Sequence, residues 1–191
     1  MFECEIRYKI DDVDTIKAKF NKLGGKLIYP YHETDCYYIP KLGKWDPLVQ
    51  NLRIRKWKDA SKKSVIYFSK VEIIKSGQFL FKKSVYQGGK LELYRGEFKV
   101  CKSLLSDMGF KPWLSITKEA EYWGFEKLKF KTAFEKIKGL GIYGELEVMG
   151  SNIEKIKNEF NRLVSILEIK KSDISCYPIS VISFSKSFSK R

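Results

Sequence analysis

The sequence predicts an α+β domain whose antiparallel sheet is large enough to close on itself. Two observations lead to this prediction. Strand-like segments far outnumber helix-like ones along the 191 residues, and several of the strands alternate strictly between apolar and charged side chains. With no internal repeat or long linker in view, we expect one domain over residues 1–180 and a frayed, serine-rich tail over 181–191.

The first elements follow from local pattern. Residues 2–10 alternate and predict a strand. Asp11, Asp12 and Asp14 supply capping acids for a helix with apolar residues at helical spacing, which Gly24 and Gly25 end. Further strands are predicted at 26–31, 35–39, 51–58, 64–71 and 78–87.

The second half of the chain gives two helices and three strands. The run 95–108 carries an apolar stripe at helical spacing and is closed by Gly109. Strands are predicted at 112–123, 126–135 and 142–149. Ser151 and Asn152 then cap a strongly amphipathic helix that continues to residue 167.

Composition excludes several classes of protein. A hydrophobic fraction of 43% argues against wholesale disorder, and no run of 18 apolar residues predicts a membrane-spanning helix. The early acidic residues do not resemble a secretory signal, so we expect a cytoplasmic protein. Four widely spaced cysteines fit free thiols better than a zinc site or a disulfide framework.

The charge balance points to an anionic partner. Lysine and arginine total 37 against 23 acidic residues, which gives a formal net charge of +14. Such an excess is typical of proteins that bind nucleic acid, phosphate-rich small molecules or acidic surfaces, although lysines that merely solvate the surface give the same total. The position of the charges must decide.

Charged residues share single strand faces at period two. The sets are Glu3, Glu5, Arg7 and Lys9; Arg53 and Arg55; Lys127, Lys129, Lys131 and Glu135; and Glu145 and Glu147. Each set alone is compatible with the solvated outer face of a half-buried sheet. If the faces pointed inward in a closed sheet, acidic and basic sectors would suit a metal–triphosphate complex. Inward carboxylates would repel a nucleic-acid backbone.

The ordered motifs resemble the CYTH domain, or triphosphate tunnel metalloenzymes. This family includes class IV adenylyl cyclases, thiamine triphosphatases and inorganic triphosphatases. Its E-x-E-x-K strand is similar to residues 3–7, with Arg7 in place of Lys. Its Asp-x-Tyr, L-R-x-R and G-L-G-x-x-x-E-x-E motifs are similar to residues 35–37, 52–55 and 139–147.

Further motifs extend the resemblance to roughly residues 2–180. A strand ending in Lys70, a helix closing at 108–110 and an acid at Glu135 follow the family pattern, and 175–177 is similar to its S-Y motif with one residue inserted. The late K-x-R strand keeps Lys118 but has Ala120 at the second basic position. The His-Phe-Arg signature that precedes the acidic strand of class IV cyclases is not seen before Glu3.

The resemblance implies an eight-stranded closed antiparallel barrel, or tunnel, with helices outside. It implies one or two Mg²⁺ or Mn²⁺ ions held by Glu3, Glu5, Glu135, Glu145 and Glu147. It assigns the triphosphate to Arg7, Lys9, Arg53, Arg55, Lys70 and Lys118. The predicted catalytic residues are Lys9, Lys70 and Lys118.

The favoured function is metal-dependent hydrolysis of a triphosphate-containing small molecule, with adenylyl cyclisation of ATP as the alternative. A polyphosphate-binding domain without catalysis stays open because of Ala120. A basic RNA-binding domain also stays open, since eleven Tyr and thirteen Phe could stack bases, but no RNP, KH or helix-turn-helix signature supports it. Neither a membrane nor a nucleic acid is the expected partner, and we expect a monomer or homodimer.

Overall fold

The computed structural model describes residues 1–125 and 130–188. Within these ranges the chain forms strands, α-helices and one short 3₁₀ helix at Lys171–Asp173. The strands are β1 (Phe2–Ile10), β2 (Gly25–Pro40), β3 (Gln50–Trp57), β4 (Ser64–Ser76), β5 (Phe79–Ser84), β6 (Lys90–Gly96), β7 (Phe110–Phe125), β8 (Phe130–Ile137), β9 (Gly141–Gly150) and β10 (Ile174–Ser175). The α-helices are α1 (Val13–Lys22), α2 (Phe98–Asp107), α3 (Ile153–Ile166) and α4 (Ile179–Phe188).

The strands form one sheet that returns to its first strand. The hydrogen-bonded order is β10-β1-β5-β4-β3-β2-β7-β8-β9, β1 also pairs with β9, and β6 pairs with β4 off this path. The eight strands from β1 round to β9 therefore make a closed ring of pairings. The predicted fold class, α+β with eight ring strands, is confirmed.

The chain divides into two compact units, and strands β2, β4 and β7 each contribute residues to both. The first unit comprises Met1–Tyr31, Ile73–Lys83 and Glu119–Tyr177. The second comprises His32–Glu72, Ser84–Lys118 and the residues from Pro178 on.

The core of the first unit lies between β1, β5, β9 and helix α3. Ile6, Phe81 and Leu146 are fully buried, as are Phe160 and Leu163 of the helix. Helix α3 begins where the Asn152 side chain accepts a hydrogen bond from the Lys155 amide at 3.0 Å, the usual capping arrangement. Burying its apolar face fixes the helix on the sheet and leaves the other face of β1 and β9 for charged residues.

One glycine in this core is required by packing. Tyr8 lies opposite Gly144 across the β1–β9 ladder, and a Cβ atom at position 144 would meet the Tyr8 ring at 2.1 Å. The backbone of β9 is therefore close enough to the ring for no side chain except hydrogen to fit.

The second unit has a smaller core. Leu52, Ile54 and Ile66 from β3 and β4 pack with Cys101 and Leu105 of helix α2. The alternation predicted for residues 51–58 is thus correct, since even-numbered positions of β3 face this core and Arg53 and Arg55 face the other side.

The structure differs from the local prediction in three places. Residues 26–31 and 35–39 belong to one continuous strand, because Glu33 and Thr34 pair with β3 and carry the ladder through the polar residues between them. Strand β6 was missed. The serine-rich tail predicted to fray is helical as far as Phe188, where the Phe184 ring contacts Trp113 at 5.0 Å.

Part of one predicted strand cannot be compared. Residues 126–129 of the predicted strand 126–135, which include Lys127 and Lys129, lie outside the described residues. None of the helices in the described ranges is long and apolar enough to cross a membrane.

Candidate functional site

Pairing of β1 with β9 places four charged residues side by side. Glu5 lies directly opposite Glu147, and Arg7 lies directly opposite Glu145. Because side chains alternate along a strand, Glu3, Glu5 and Arg7 share one face with their partners on β9. Like charges directly opposite each other are unfavourable unless a cation compensates them.

Arg7 supplies part of that compensation. Its guanidinium Nη2 lies 2.9 Å from Glu5 and contacts Glu145, and its Nη1 donates to Glu135 at 2.7 Å. Glu135 also accepts a hydrogen bond from the Tyr31 hydroxyl at 3.0 Å. Arg7 and Glu135 are both buried, so this charged network is held away from solvent.

Two lysines complete the surroundings of the glutamates. Lys82 of β5 pairs in register with Glu3, and its ammonium lies 3.5 Å from Glu5. Lys131 of β8 lies 3.9 Å from Glu147. Burial is the largest influence on the pKa of Glu3, and with the charges of Glu147 and Glu5 it raises that pKa despite Lys82.

We call these eight residues the carboxylate cluster: Glu3, Glu5, Glu135, Glu145, Glu147, Arg7, Lys82 and Lys131. With every group ionised, five carboxylates against three cations leave two negative charges. Carboxylate oxygens are the ligands that Mg²⁺ and Mn²⁺ prefer. The donor type and the charge therefore fit one divalent cation.

The carboxylates do not form a ready-made metal centre. Among the described residues, no three His, Cys, Asp or Glu side chains converge as a metal ion would require. The physical reason is that Glu5, Glu135 and Glu145 are turned onto Arg7.

The second unit contains a network of opposite composition. Arg55 donates two hydrogen bonds to Asp35, from Nε at 2.8 Å and from Nη2 at 2.7 Å, which is the bidentate arrangement. Its Nη2 also lies 2.9 Å from Glu33. Arg53 approaches Asp35 at 3.6 Å, and Lys118 approaches Glu33 at 3.3 Å.

Asp35 carries its charge although it is completely buried. Burial pushes the pKa of Asp35 upward, but Arg53 and Arg55 hold it well below its usual range. Glu33, also buried, has a raised pKa, chiefly because of its burial and the neighbouring Asp35.

Lys90 of β6 belongs to the same network. It pairs in register with Ser69 of β4, which pairs with Asn51 on the face of β3 that carries Arg53. Its ammonium lies 4.9 Å from the centre of the Tyr67 ring, a cation–π contact. Partial burial, followed by the charges of Arg53 and Arg55, lowers the pKa of Lys90.

We call this second set the basic cluster: Arg53, Arg55, Lys90, Lys118, Glu33 and Asp35. Four cations against two carboxylates leave two positive charges when all are ionised. Side chains of this kind bind phosphate, arginine through its planar fork and lysine as a point charge.

The structure separates the six predicted triphosphate ligands. Arg53, Arg55 and Lys118 lie in the basic cluster, whereas Arg7 lies among the glutamates. Lys9 has a side chain 57% exposed and pairs with Asp11 at 3.2 Å at the end of β1.

Lys70 does not join the basic cluster. It is exposed and lies opposite Gln50, on the face of β4 that carries the apolar core rather than on the face of Tyr67, the partner of Arg53. Strand period alone dictates this difference, because positions 67 and 70 differ by three.

Sequence reasoning missed Lys82, Lys90 and Glu33. Lys82 and Lys90 come from β5 and the unpredicted β6, in the segment 72–95 where the family resemblance gives no motif. Glu33 carried a usable signal, because it lies two residues before Asp35 and therefore on the same strand face.

Comparison with known proteins gives a consistent result. Residues 1–175 match the profile of the CYTH domain. A Methanocaldococcus jannaschii protein provisionally named an adenylate cyclase is 26% identical over 187 residues, covering 91% of this chain and 94% of the relative.

Solved structures of low sequence identity share the fold. A conserved hypothetical protein from Pyrococcus furiosus superposes with a TM-score of 0.71 at 21% identity, covering 92% of this chain and 96% of that chain. A Hippeastrum protein, provisionally named an adenylyl cyclase and described as having a dominant triphosphatase activity, superposes with a TM-score of 0.60 at 13% identity, with 88% of both chains covered.

Proposed function

The chain belongs to the CYTH domain family, and we propose that it is a metal-dependent enzyme that hydrolyses a triphosphate. The single observation that carries this proposal is the basic cluster. A buried network with an excess of positive charge, in which Arg55 is positioned by two hydrogen bonds to Asp35, is built to receive an anion.

The basic cluster would hold the phosphates. Arg53 and Arg55 have side chains that are 21% and 16% exposed, so each guanidinium is fixed by its neighbours yet reachable by a ligand. Lys118 would add a point charge. Phosphoryl transfer depends mainly on positioning the phosphates and neutralising their charge, which these groups provide. The roles of Arg7, Lys9 and Lys70 stay predictions.

The carboxylate cluster would hold Mg²⁺ or Mn²⁺, with Glu3, Glu5, Glu135, Glu145 and Glu147 as the candidate ligands. A bound divalent cation would neutralise phosphate charge and acidify a coordinated water. Arg7 keeps Glu135 ionised, and the Tyr31 hydroxyl orients that carboxylate. Lys82 would balance Glu3 and Glu5 and limit the number of cations bound.

Hydrolysis is favoured over cyclisation by the Hippeastrum relative, whose description names triphosphatase activity as dominant. Adenylyl cyclisation, which forms cyclic AMP and pyrophosphate from ATP, remains the second candidate because the Methanocaldococcus jannaschii relative bears an adenylate cyclase name. Both reactions need a triphosphate and a cation, and they differ in the nucleophile.

The test is turnover of tripolyphosphate, thiamine triphosphate and ATP with Mg²⁺ or Mn²⁺, followed by phosphorus NMR. Release of orthophosphate is expected. Cyclic AMP with pyrophosphate as the main products would reverse the ranking, and tight binding without turnover would indicate a non-catalytic domain. Arg53→Ala and Glu145→Gln should lose activity. Arg95→Ala and Glu154→Gln, which alter exposed surface pairs, are the matched controls.

A further inference from the structure

The first unit contains a cavity of about 650 Å³ whose lining comes from β2, β7, β8 and β9. We propose that this cavity binds a flat aromatic group esterified to the triphosphate, so that the substrate is an organic triphosphate rather than inorganic tripolyphosphate. This inference rests on the proposed function. The volume is within the range of about 300–1,000 Å³ typical of small-molecule sites.

The walls of the cavity are apolar and open to solvent. Leu27, Ile28 and Met149 line it, and they are 49%, 57% and 44% exposed. Three large apolar side chains left half exposed in one place indicate a surface that a ligand covers, because exposed apolar patches of this kind mark binding sites.

An aromatic surface adjoins these apolar walls. Tyr122 lines the cavity and stacks on Tyr29, with ring centres 5.1 Å apart and planes inclined by 20°. Phe130 is also part of the lining. Flat heterocycles bind to such rings by offset stacking, which requires a planar partner but little sequence of polar contacts.

The cavity is continuous with the carboxylate cluster. Glu147 belongs to both, and Met149 lies directly opposite Glu3 across the β1–β9 ladder. A ligand whose phosphates are bound through a cation at Glu147 would therefore extend its organic group along Met149. Tripolyphosphate has no apolar part and would leave these walls exposed.

The experiment compares organic and inorganic substrates in one double variant. Leu27→Ser with Met149→Ser removes two apolar walls and touches none of the proposed phosphate or metal ligands. We expect kcat/KM for ATP or thiamine triphosphate to fall about tenfold, the loss expected when a buried apolar contact is removed, while tripolyphosphate turnover stays within about twofold. Leu93→Ser, at a residue that is also 49% exposed but lies in the second unit, is the matched control.

The two organic substrates distinguish the source of the aromatic group, since the true substrate should show the larger loss. An equal fall for tripolyphosphate, or no fall for either organic substrate, would overturn the inference while leaving the proposed hydrolysis intact.

A second measurement separates the cavity from catalysis. Saturation-transfer NMR with adenosine and with thiamine, neither of which has phosphate, should show contact between their ring protons and the wild-type protein that the double variant loses. Such contact without turnover of any triphosphate would support the cavity and reject the proposed function. Absence of contact with both compounds would count against the cavity.

Discussion

In the carboxylate cluster one buried arginine, Arg7, contacts three glutamates, whereas in the basic cluster one buried aspartate, Asp35, contacts two arginines. Both clusters concentrate charge of one sign around a central residue of the other sign. The central residue lowers the repulsion enough for the protein to fold, and the excess of two charges is left for a ligand. The clusters thus differ in what they would bind, a divalent cation in one and phosphate in the other.

The largest expected effect comes from removing the central arginine. Arg7→Met leaves Glu135 buried without its ionic partner, and losing one member of a buried ion pair costs about 3–5 kcal/mol of stability. Urea unfolding at neutral pH measures this loss. Because the variant cluster carries one more uncompensated negative charge, Mg²⁺ should stabilise it more than it stabilises the wild type. Equal stabilisation of both proteins would contradict the metal assignment.

Removing the central aspartate is expected to cost a similar amount, about 3–5 kcal/mol for Asp35→Asn, because Arg53 and Arg55 lose their buried partner. Here the rescuing ligand should be tripolyphosphate rather than Mg²⁺. Thermal unfolding of both variants with each ligand gives a crossed comparison. Rescue of Asp35→Asn by Mg²⁺ alone would break the proposed division between the clusters.

Single ligand-facing charges should have the next largest effect. Arg53→Ala or Arg55→Ala removes a charge-assisted contact of about 1.5–3 kcal/mol, or roughly ten- to a hundredfold in triphosphate affinity. Glu147→Gln should instead shift the Mg²⁺ concentration needed for activity. Isothermal titration with a non-hydrolysable triphosphate tests both. Unchanged affinity in the two arginine variants would refute the phosphate assignment.

The pH dependence of stability should have opposite signs in the two clusters. The raised pKa of Glu3 contributes stability below its ordinary value of 4.5, and that contribution is lost as the pH rises through the folded-state pKa. Glu3→Gln should therefore gain on the wild type with rising pH when no metal is present.

Asp35 behaves in the reverse way. Its lowered pKa contributes stability above its ordinary value of 3.8, and that contribution is lost as the pH falls through the folded-state pKa. The deficit of Asp35→Asn should thus be full at neutral pH and shrink in acid. Unfolding curves at a series of pH values check both slopes, and slopes of the same sign would contradict the charge balance given for the clusters.

The smallest effects are expected at the exposed lysines. Lys70 is exposed on the core-side face of β4, and exposed charges contribute only about 0.2–1 kcal/mol. Lys70→Met should change triphosphate affinity by no more than about fivefold, and Lys90→Met should change it more. A larger loss at Lys70 than at Lys90 would show that the family motif locates the phosphate better than the strand register does.

The sequence by itself determined the strands, their alternating faces and most of the charged residues that matter. Arg53, Arg55, Glu145 and Glu147 could be identified because strand alternation is a local property with a period of two residues. The same local signals gave helix α3, whose apolar face and Asn152 cap lie within one short segment.

Only the tertiary structure decided which charges meet. That Arg7 lies with Glu135, 128 positions away, depends on pairing between distant strands. The contributions of Lys82 and Lys90 likewise depend on the register of β5 and β6, and the exclusion of Lys70 depends on the register of β4. Register is set by the packing of whole strands, and a shift of one residue would move every side chain to the other face. No local pattern contains that information.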